Sequence, residues 1–186
     1  LTLGLVTNRS PRLAGLYLIL DPSMAPAKDL TVVLRQAAAA GVRLVQYRDK
    51  QASMRQAYER GLVLRAAARE TGTCFLVNDR CDLALALAAD GVHLGQDDLP
   101  VHQARHLLGP EKIIGLSTHS AQQVTAAAQA DVDYLGFGPV FPTRSKQDHE
   151  PIVGVEGLRT VRPLTTLPLF AIGGITAERY ADVLRA

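Results

Sequence analysis

The chain has 186 residues, 47% of them hydrophobic and 20% charged, which is enough for one packed domain and too little for two comfortable ones. Twenty Lys and Arg against 18 Asp and Glu leave a formal charge of +2 without a concentrated basic stripe, which argues against a nucleic-acid partner. No apolar run approaches the ~20 residues that a membrane-spanning helix needs, so no membrane partner is expected.

Residues 1–14 precede the first apolar run and read as a lead-in segment. From Gly15 onward, short apolar runs alternate with Ala-rich helical ones. The predicted strands are Leu16–Leu20, Val42–Gln46, Cys74–Asn78, Gly91–Leu94, Ile113–Leu116, Tyr134–Gly138 and Leu169–Ile172. Their uninterrupted apolar character is that of strands covered on both faces. The predicted helices are Asp29–Ala40, Ser53–Thr71, Cys81–Ala89, Pro100–Leu108, Ala121–Ala130, Val155–Arg162 and Ala177–Arg185. Asp29 suits an N-cap, Pro100 a first helical turn, and Gly41 and Gly72 suit C-terminal caps.

Strict βα alternation implies a parallel α/β sheet, and seven units favour a closed TIM (β/α)8-type barrel over an open sheet. The reading is a barrel over residues 15–186 that lacks the eighth βα unit within these residues. Such barrels run to about 250 residues, and this sequence stops inside an uncapped helical pattern. The expectation is a C-terminally truncated barrel from a longer parent. Cys74 and Cys81 form neither a metal-ligand cluster nor a disulfide scaffold, and Cys74 reads as a small buried residue. No stretch has the form of a secretory leader, so the reading is a cytoplasmic protein.

Barrel active sites lie where strands end, and polar residues gather there. Gln46, Arg48 and Lys50 alternate after the second strand, so an extended chain would turn all three to one side. An Arg and a Lys on one face repel unless an anion lies between them, and a phosphate or pyrophosphate is the natural guest. Asn78 and Asp79 follow the third strand; Asp97 and Asp98 follow the fourth. Carboxylates on neighbouring strands suit Mg²⁺, which takes one or two of them with water and phosphate oxygens. The competing reading makes Asp79 and Asp98 the N-caps of the next helices. From the residues alone, Asp97 could also be the ligand.

Ser117 and His119 follow the fifth strand and could bond a substrate or the loop backbone. Thr143, Arg144, Ser145 and Lys146 form a hydroxyl-rich loop that could cradle a phosphate. Gly173 and Gly174 let backbone approach a ligand, or simply turn the chain. His93 lies within a strand and reads as a satisfied core histidine.

Taken in order, Val45-Gln46-Tyr47-Arg48-Asp49-Lys50, Val77-Asn78-Asp79-Arg80, Ala89 to Asp98, Ile114-Gly115-Leu116-Ser117, Gly138 to Lys146 and Ala171-Ile172-Gly173-Gly174-Ile175 resemble the thiamine phosphate synthase family. The resemblance spans Gly15 to the last residue. It implies condensation of a hydroxymethylpyrimidine diphosphate with a thiazole phosphate, giving thiamine phosphate and pyrophosphate. Through the resemblance, Gln46, Arg48, Lys50, Asn78, Ser117 and Lys146 would bind the pyrimidine diphosphate, with Arg48, Lys50 and Lys146 carrying the catalysis. Asp79 and Asp98 would hold Mg²⁺, which settles the choice against Asp97. Thr143, Arg144, Ser145 and Gly174 would meet the thiazole phosphate. The implied partners are these small molecules, with no nucleic acid or membrane; a homo-oligomer is compatible with the sequence.

Ser145 stands where many family members carry Thr, and keeps the hydroxyl. In the family a further strand completes the thiazole side, so that half of the pocket is expected to be incomplete here. Two other readings use the same fold: a thiazole tautomerase, which would need neither diphosphate nor metal, and an inactive paralogue that only binds substrate.

Overall fold

Each predicted apolar run becomes a strand and each is followed by a helix in the computed structural model, which describes residues 13–25, 29–143 and 151–186. The order is β1 (Tyr17–Leu20), α1 (Leu30–Ala39), β2 (Leu44–Tyr47), α2 (Met54–Glu70), β3 (Cys74–Asn78), α3 (Cys81–Ala86), β4 (Gly91–Leu94) and α4 (Val101–Leu108). It continues with β5 (Ile113–Thr118), α5 (Ala121–Ala127), β6 (Tyr134–Phe137), α6 (Gly154–Val161), a short 3₁₀ turn at Arg162–Leu164, β7 (Leu169–Ala171) and α7 (Tyr180–Leu184). All neighbouring strands pair in parallel, in sequence order from β1 to β7. Among the described residues this is a seven-unit barrel of the TIM type without an eighth unit. No helix among the described residues is long and apolar enough to cross a membrane.

Element ends differ from expectation for local reasons. The second strand starts at Leu44 rather than Val42 because α1 unwinds through a glycine exit. Gly41 has φ +100, the Gly41 and Val42 N–H groups bond back to Ala38 and Ala37, and the Arg43 guanidinium bonds the Ala38 carbonyl. Helix α3 stops at Ala86 because Ala88 turns to φ +47 and the Ala89 N–H returns to Ala84. The starts of three helices are held by side chains. Asp29 accepts from the Thr31 N–H, Ser53 and Gln56 form a reciprocal capping box, and Ser120 accepts from the Gln123 N–H.

Alternation along the strands sorts side chains to two sides. Val45, Tyr47, Phe75, Val77, Val92, Leu94, Ile114, Leu135 and Phe137 pack outward under the helices. Leu13, Leu44, Cys74, Leu76, Ile113 and Tyr134 form a second cluster inside, with Tyr17 and Phe170 against it. Tyr17 of β1 and Phe170 of β7 meet edge-on with ring centroids 5.3 Å apart. The sheet therefore curls far enough to bring its first and last strands into side-chain contact, although those two strands are not paired. The two edge strands are also the least covered: β7 is half-buried throughout, whereas β2, β4 and β6 are fully buried.

The narrow interior is fitted with glycine. A Cβ on Gly115 would lie 2.0 Å from Cζ of the fully buried Tyr134 ring, and one on Gly91 would lie 1.9 Å from the Ile113 carbonyl oxygen. At the other end of the strands, one arrangement occurs twice. Asp90 precedes β4, accepts from the Phe75 N–H of β3, and pairs with Arg65 of α2 at 3.0 Å. Asp133 precedes β6, accepts from the Ile114 N–H of β5, and pairs with Arg105 of α4 at 2.9 Å.

Gly115→Ala should cost about 1–3 kcal/mol by forcing the Tyr134 ring aside, read as a lowered midpoint in chemical denaturation. Asp90→Ala should cost about 2 kcal/mol, because it orphans one strand N–H and one largely buried guanidinium. Because Asp90 lies at the opposite end of the barrel from the site, the variant's rate at a permissive temperature should stay near normal; a large loss of rate in folded protein would contradict that separation.

Candidate functional site

The residues after the strand ends are drawn together at the C-terminal mouth. Arg48 and Lys50 lie just beyond β2, in a loop fixed by the residue between them. Asp49 Oδ2 accepts from Tyr47 Oη at 3.1 Å and pairs with Arg60 of α2 at 2.8 Å. That anchors Asp49 outward, against the helix layer.

Each of the two cations has a carboxylate partner, so the protein itself offsets the repulsion inferred from the sequence. Arg48 pairs with Asp21, the residue immediately after β1. Lys50 Nζ lies 3.0 Å from Asp79 Oδ2. Asp21 also accepts from the Ser23 N–H at 2.9 Å and from the Ser23 hydroxyl at 2.6 Å. Burial pushes the Asp21 carboxyl up, but the bonds from Ser23 and Arg48 outweigh it and hold the group below the usual carboxylate range.

Asp79 and Asp98 are not helix caps. The N-cap of α3 is Arg80 and that of α4 is Pro100, and neither makes a side-chain cap bond. Asp79 takes a left-handed backbone, φ +60, and its N–H bonds the His93 carbonyl at 2.8 Å. A left-handed aspartate is a less common conformation, and here it sits at the mouth. Asp98 Oδ2 accepts from the Gly95 N–H at 2.6 Å. Burial, above all, raises the Asp98 carboxyl; the neighbouring Asp79 carboxylate raises it further, while the Gly95 bond and Lys50 lower it. Two hard-oxygen donors facing each other across adjacent strand ends fit the donor set Mg²⁺ prefers, with room for water and phosphate oxygens in its shell. Among the described residues there is no cluster of three or more His, Cys, Asp or Glu groups.

Gln46 points inward and is 3% exposed; its Nε2 donates to Tyr17 Oη at 2.7 Å. Asn78 ends β3, half-buried. Ser117 lies near the end of β5, with its hydroxyl 2.9 Å from His93 Nε2 and its carbonyl accepting from Gln96 Nε2 at 2.5 Å. His93 is a buried histidine with bonds at both ring nitrogens, the other reaching Tyr134 Oη at 2.7 Å. His119 serves the backbone: its Nδ1–H donates to the Gly138 carbonyl at 2.6 Å.

Beyond β6 and β7 the two loops stay bonded to each other. Val140 and Phe141 N–H groups bond the Ile172 and Gly173 carbonyls. This close approach explains the glycine pair. A Cβ on Gly173 would sit 2.6 Å from Pro139, and one on Gly174 2.3 Å from the Pro142 carbonyl oxygen, with both residues at positive φ. Arg179 donates to the Gly174 carbonyl and covers the Phe141 ring at 4.7 Å. Thr143 is half-buried, whereas Arg144, Ser145 and Lys146 lie outside the described residues.

The sequence reading passes over Asp21, Tyr17 and Tyr134. Asp21 had an available signal, since it follows β1 as the other site residues follow their strands. The two tyrosines had none, because each reads as an ordinary apolar strand position.

Residues 16–186 match the thiamine monophosphate synthase family. A relative from Chloroflexus aurantiacus named thiamine-phosphate synthase is 44% identical over 171 residues, covering 92% of this chain and 79% of its own length. One of the same name from Pelotomaculum thermopropionicum is 50% identical over 151 residues, covering 81% and 69%. The solved structure of a thiamine phosphate pyrophosphorylase from Pyrococcus furiosus superposes with a TM-score of 0.83 at 38% identity, covering 94% of this chain and 82% of that one. Citrate synthase SbnG, at 14% identity and a TM-score of 0.61, shares the fold alone.

The raised Asp98 carboxyl has a signed consequence. A carboxyl raised by folding favours the folded state at low pH, and that contribution is lost as pH rises through its folded value. Asp98→Asn keeps an acceptor for the Gly95 N–H and removes the charge facing Asp79. Without added metal the variant should therefore melt higher than the unsubstituted chain at neutral pH, and the gap should shrink as pH falls into the carboxylate range. Thermal melts at several pH values check this; a variant melting lower throughout would count against a repulsive pair.

Proposed function

The chain belongs to the thiamine monophosphate synthase family and is a transferase, and on that premise we propose how its barrel mouth works. It joins a 4-amino-5-hydroxymethyl-2-methylpyrimidine diphosphate to a thiazole phosphate, giving thiamine phosphate and pyrophosphate. The observation that carries this reading is the Asp79–Asp98 pair with Lys50 beside it, on the same rim as Arg48.

In this reading Asp79 and Asp98 hold Mg²⁺, which supplies charge neutralisation at the leaving diphosphate when it is bound. Lys50 exchanges its contact with Asp79 for a diphosphate oxygen, and Arg48 presents its guanidinium from a carboxylate anchor at Asp21. Lys146, which the family resemblance assigns to the same group, adds a further cation. The bond between the pyrimidine methylene carbon and the diphosphate oxygen breaks, and its electron pair leaves with the oxygen. The thiazole nitrogen then donates its lone pair to the resulting pyrimidine methyl cation. This sequence takes no proton from either substrate, so it needs preorganised positive charge more than a base.

Asn78 and Ser117 bind on the pyrimidine side. Thr143, Arg144, Ser145 and the Gly174 backbone take the thiazole phosphate. The close-packed Gly173–Gly174 turn supports this, since it brings main chain to the mouth where a side chain would not fit.

Pyrophosphate release measured with each component omitted in turn tests the reading. Release should require the pyrimidine diphosphate, the thiazole phosphate and Mg²⁺ together. Asp79→Ala should lower turnover by about 10²-fold or more while the circular dichroism spectrum is retained. Near-normal turnover in that variant would remove the metal assignment, and thiazole isomerisation without pyrophosphate release would favour a tautomerase instead.

A further inference from the structure

The segment that carries Arg48 and Lys50 leaves the sheet early. Its last backbone bond to β1 runs from the Arg48 N–H to the Leu20 carbonyl at 3.0 Å. Past that bond, no backbone bond among the described residues holds Asp49 or Lys50. The strand's alternation nonetheless carries on. Arg48 reaches Asp21 and Lys50 reaches Asp79 at the mouth, while Asp49 lies on the other side, against α2.

A side-chain grip stands in for the missing backbone bonds. The Tyr47 hydroxyl, at 3.1 Å, and the Arg60 guanidinium, at 2.8 Å, both donate to Asp49 Oδ2. Tyr47 is a fixed point: its ring is buried, stacked on Phe75 at 6.4 Å, and a Cβ on Gly61 of α2 would lie 3.3 Å from it. The Asp49 side chain is only 7% exposed, and Arg60, half-exposed on α2, is its one ion-pair partner among the described residues. A largely buried carboxylate that loses its counter-charge is costly to keep in place. The cations next to Asp49 in sequence are Arg48 and Lys50. A carboxylate released from the outer face would reach them as a tethered anion, at a local concentration that no free ligand matches.

We propose that Arg60 is a positioning residue for the diphosphate site. It holds the Asp49 carboxylate on the outer face of the barrel and so keeps an internal competitor away from Arg48 and Lys50. This rests on the pyrimidine diphosphate reading given above. Arg60 itself touches neither cation nor substrate, and its effect passes through Asp49 alone. That route has a signature: loss of the guanidinium harms diphosphate binding only while position 49 carries a charge.

Calorimetric binding of inorganic pyrophosphate in the presence of Mg²⁺ tests this without turnover. Arg60→Gln should weaken binding by about 10-fold or more, with KM for the thiazole phosphate unchanged within about 2-fold. Adding Asp49→Asn to Arg60→Gln should bring binding back to within about 3-fold of the unsubstituted chain, a coupling that a general loosening of α2 would not give. Asp49→Asn alone keeps an acceptor for the Tyr47 hydroxyl and should bind pyrophosphate at least as tightly as the unsubstituted chain. Binding by folded Arg60→Gln within about 2-fold of normal would overturn the proposal, as would a double variant no better than Arg60→Gln. Weakening by about 10-fold in Asp49→Asn alone would show that the carboxylate serves the site directly, and would overturn it too. If the unsubstituted chain binds no pyrophosphate, the diphosphate reading falls and this assignment with it. If the expected changes in binding appear but the two substrates release no pyrophosphate, the assignment holds and the synthase reading falls.

Discussion

A curled parallel sheet has less room on its concave side than on its convex one, and the mouth of this barrel depends on how that concave side is filled. The convex side takes large apolar residues at nearly every turn of the pleat, because the helices stand off far enough to receive them. The concave side has less room, and there Leu13, Leu44, Leu76 and Ile113 share the interior with polar rings. Gly115 gives up its side chain so that the Tyr134 ring can lie where a Cβ would be, and a Cβ on Gly136 would press on His93 at 3.2 Å. The space saved takes three polar rings, Tyr17, Tyr134 and His93. Polar rings inside a barrel need partners, and among the described residues these bond one another, Gln46 and Ser117. Filling the interior and orienting the site are thus one problem with one solution.

Charge at the mouth follows a different logic. Asp21 and Asp98 are both partly buried carboxylates close to strand ends, yet their environments push them in opposite directions. Asp21 is held ionised by the Ser23 N–H, the Ser23 hydroxyl and Arg48. Asp98 is raised by burial and by the carboxylate opposite. The first is a finished ion pair that steadies a cation. The second is an unfinished arrangement of two facing carboxylates, and under the proposed function a divalent cation would relieve their repulsion, so that the fold would give up stability where it gained affinity.

Most of the fold was legible in the sequence because buried parallel strands are continuous apolar runs, and the helices between them carry caps and glycine exits. Cys74–Asn78 and Gly91–Leu94 match residue for residue. Where boundaries slipped, at Val42 and past Ala86, backbone exits from helices decided the matter, and hydrophobicity does not report those. The rim residues could be read because polar side chains after apolar runs stand out. Their pairings could not: that Asp21 reaches Arg48, or that Asp79 faces Lys50 rather than capping α3, depends on distances between strands far apart in the chain. The tyrosines of the interior were hidden for a related reason. Within an apolar strand a tyrosine counts as one more bulky residue until a partner for its hydroxyl is seen.

The paired aspartates at the opposite end of the strands bear on something other than strength. In a parallel sheet a slip of one residue turns every inward side chain outward. His93 of β4 and Ser117 of β5 would then turn away from the interior. Asp90 and Asp133 each clamp the first residues of the preceding strand and reach back to a helix that covers it. They act as stops that permit only one alignment of β3 with β4 and of β5 with β6. Loops at the mouth can therefore change in length and composition while the residues beneath them keep their facing.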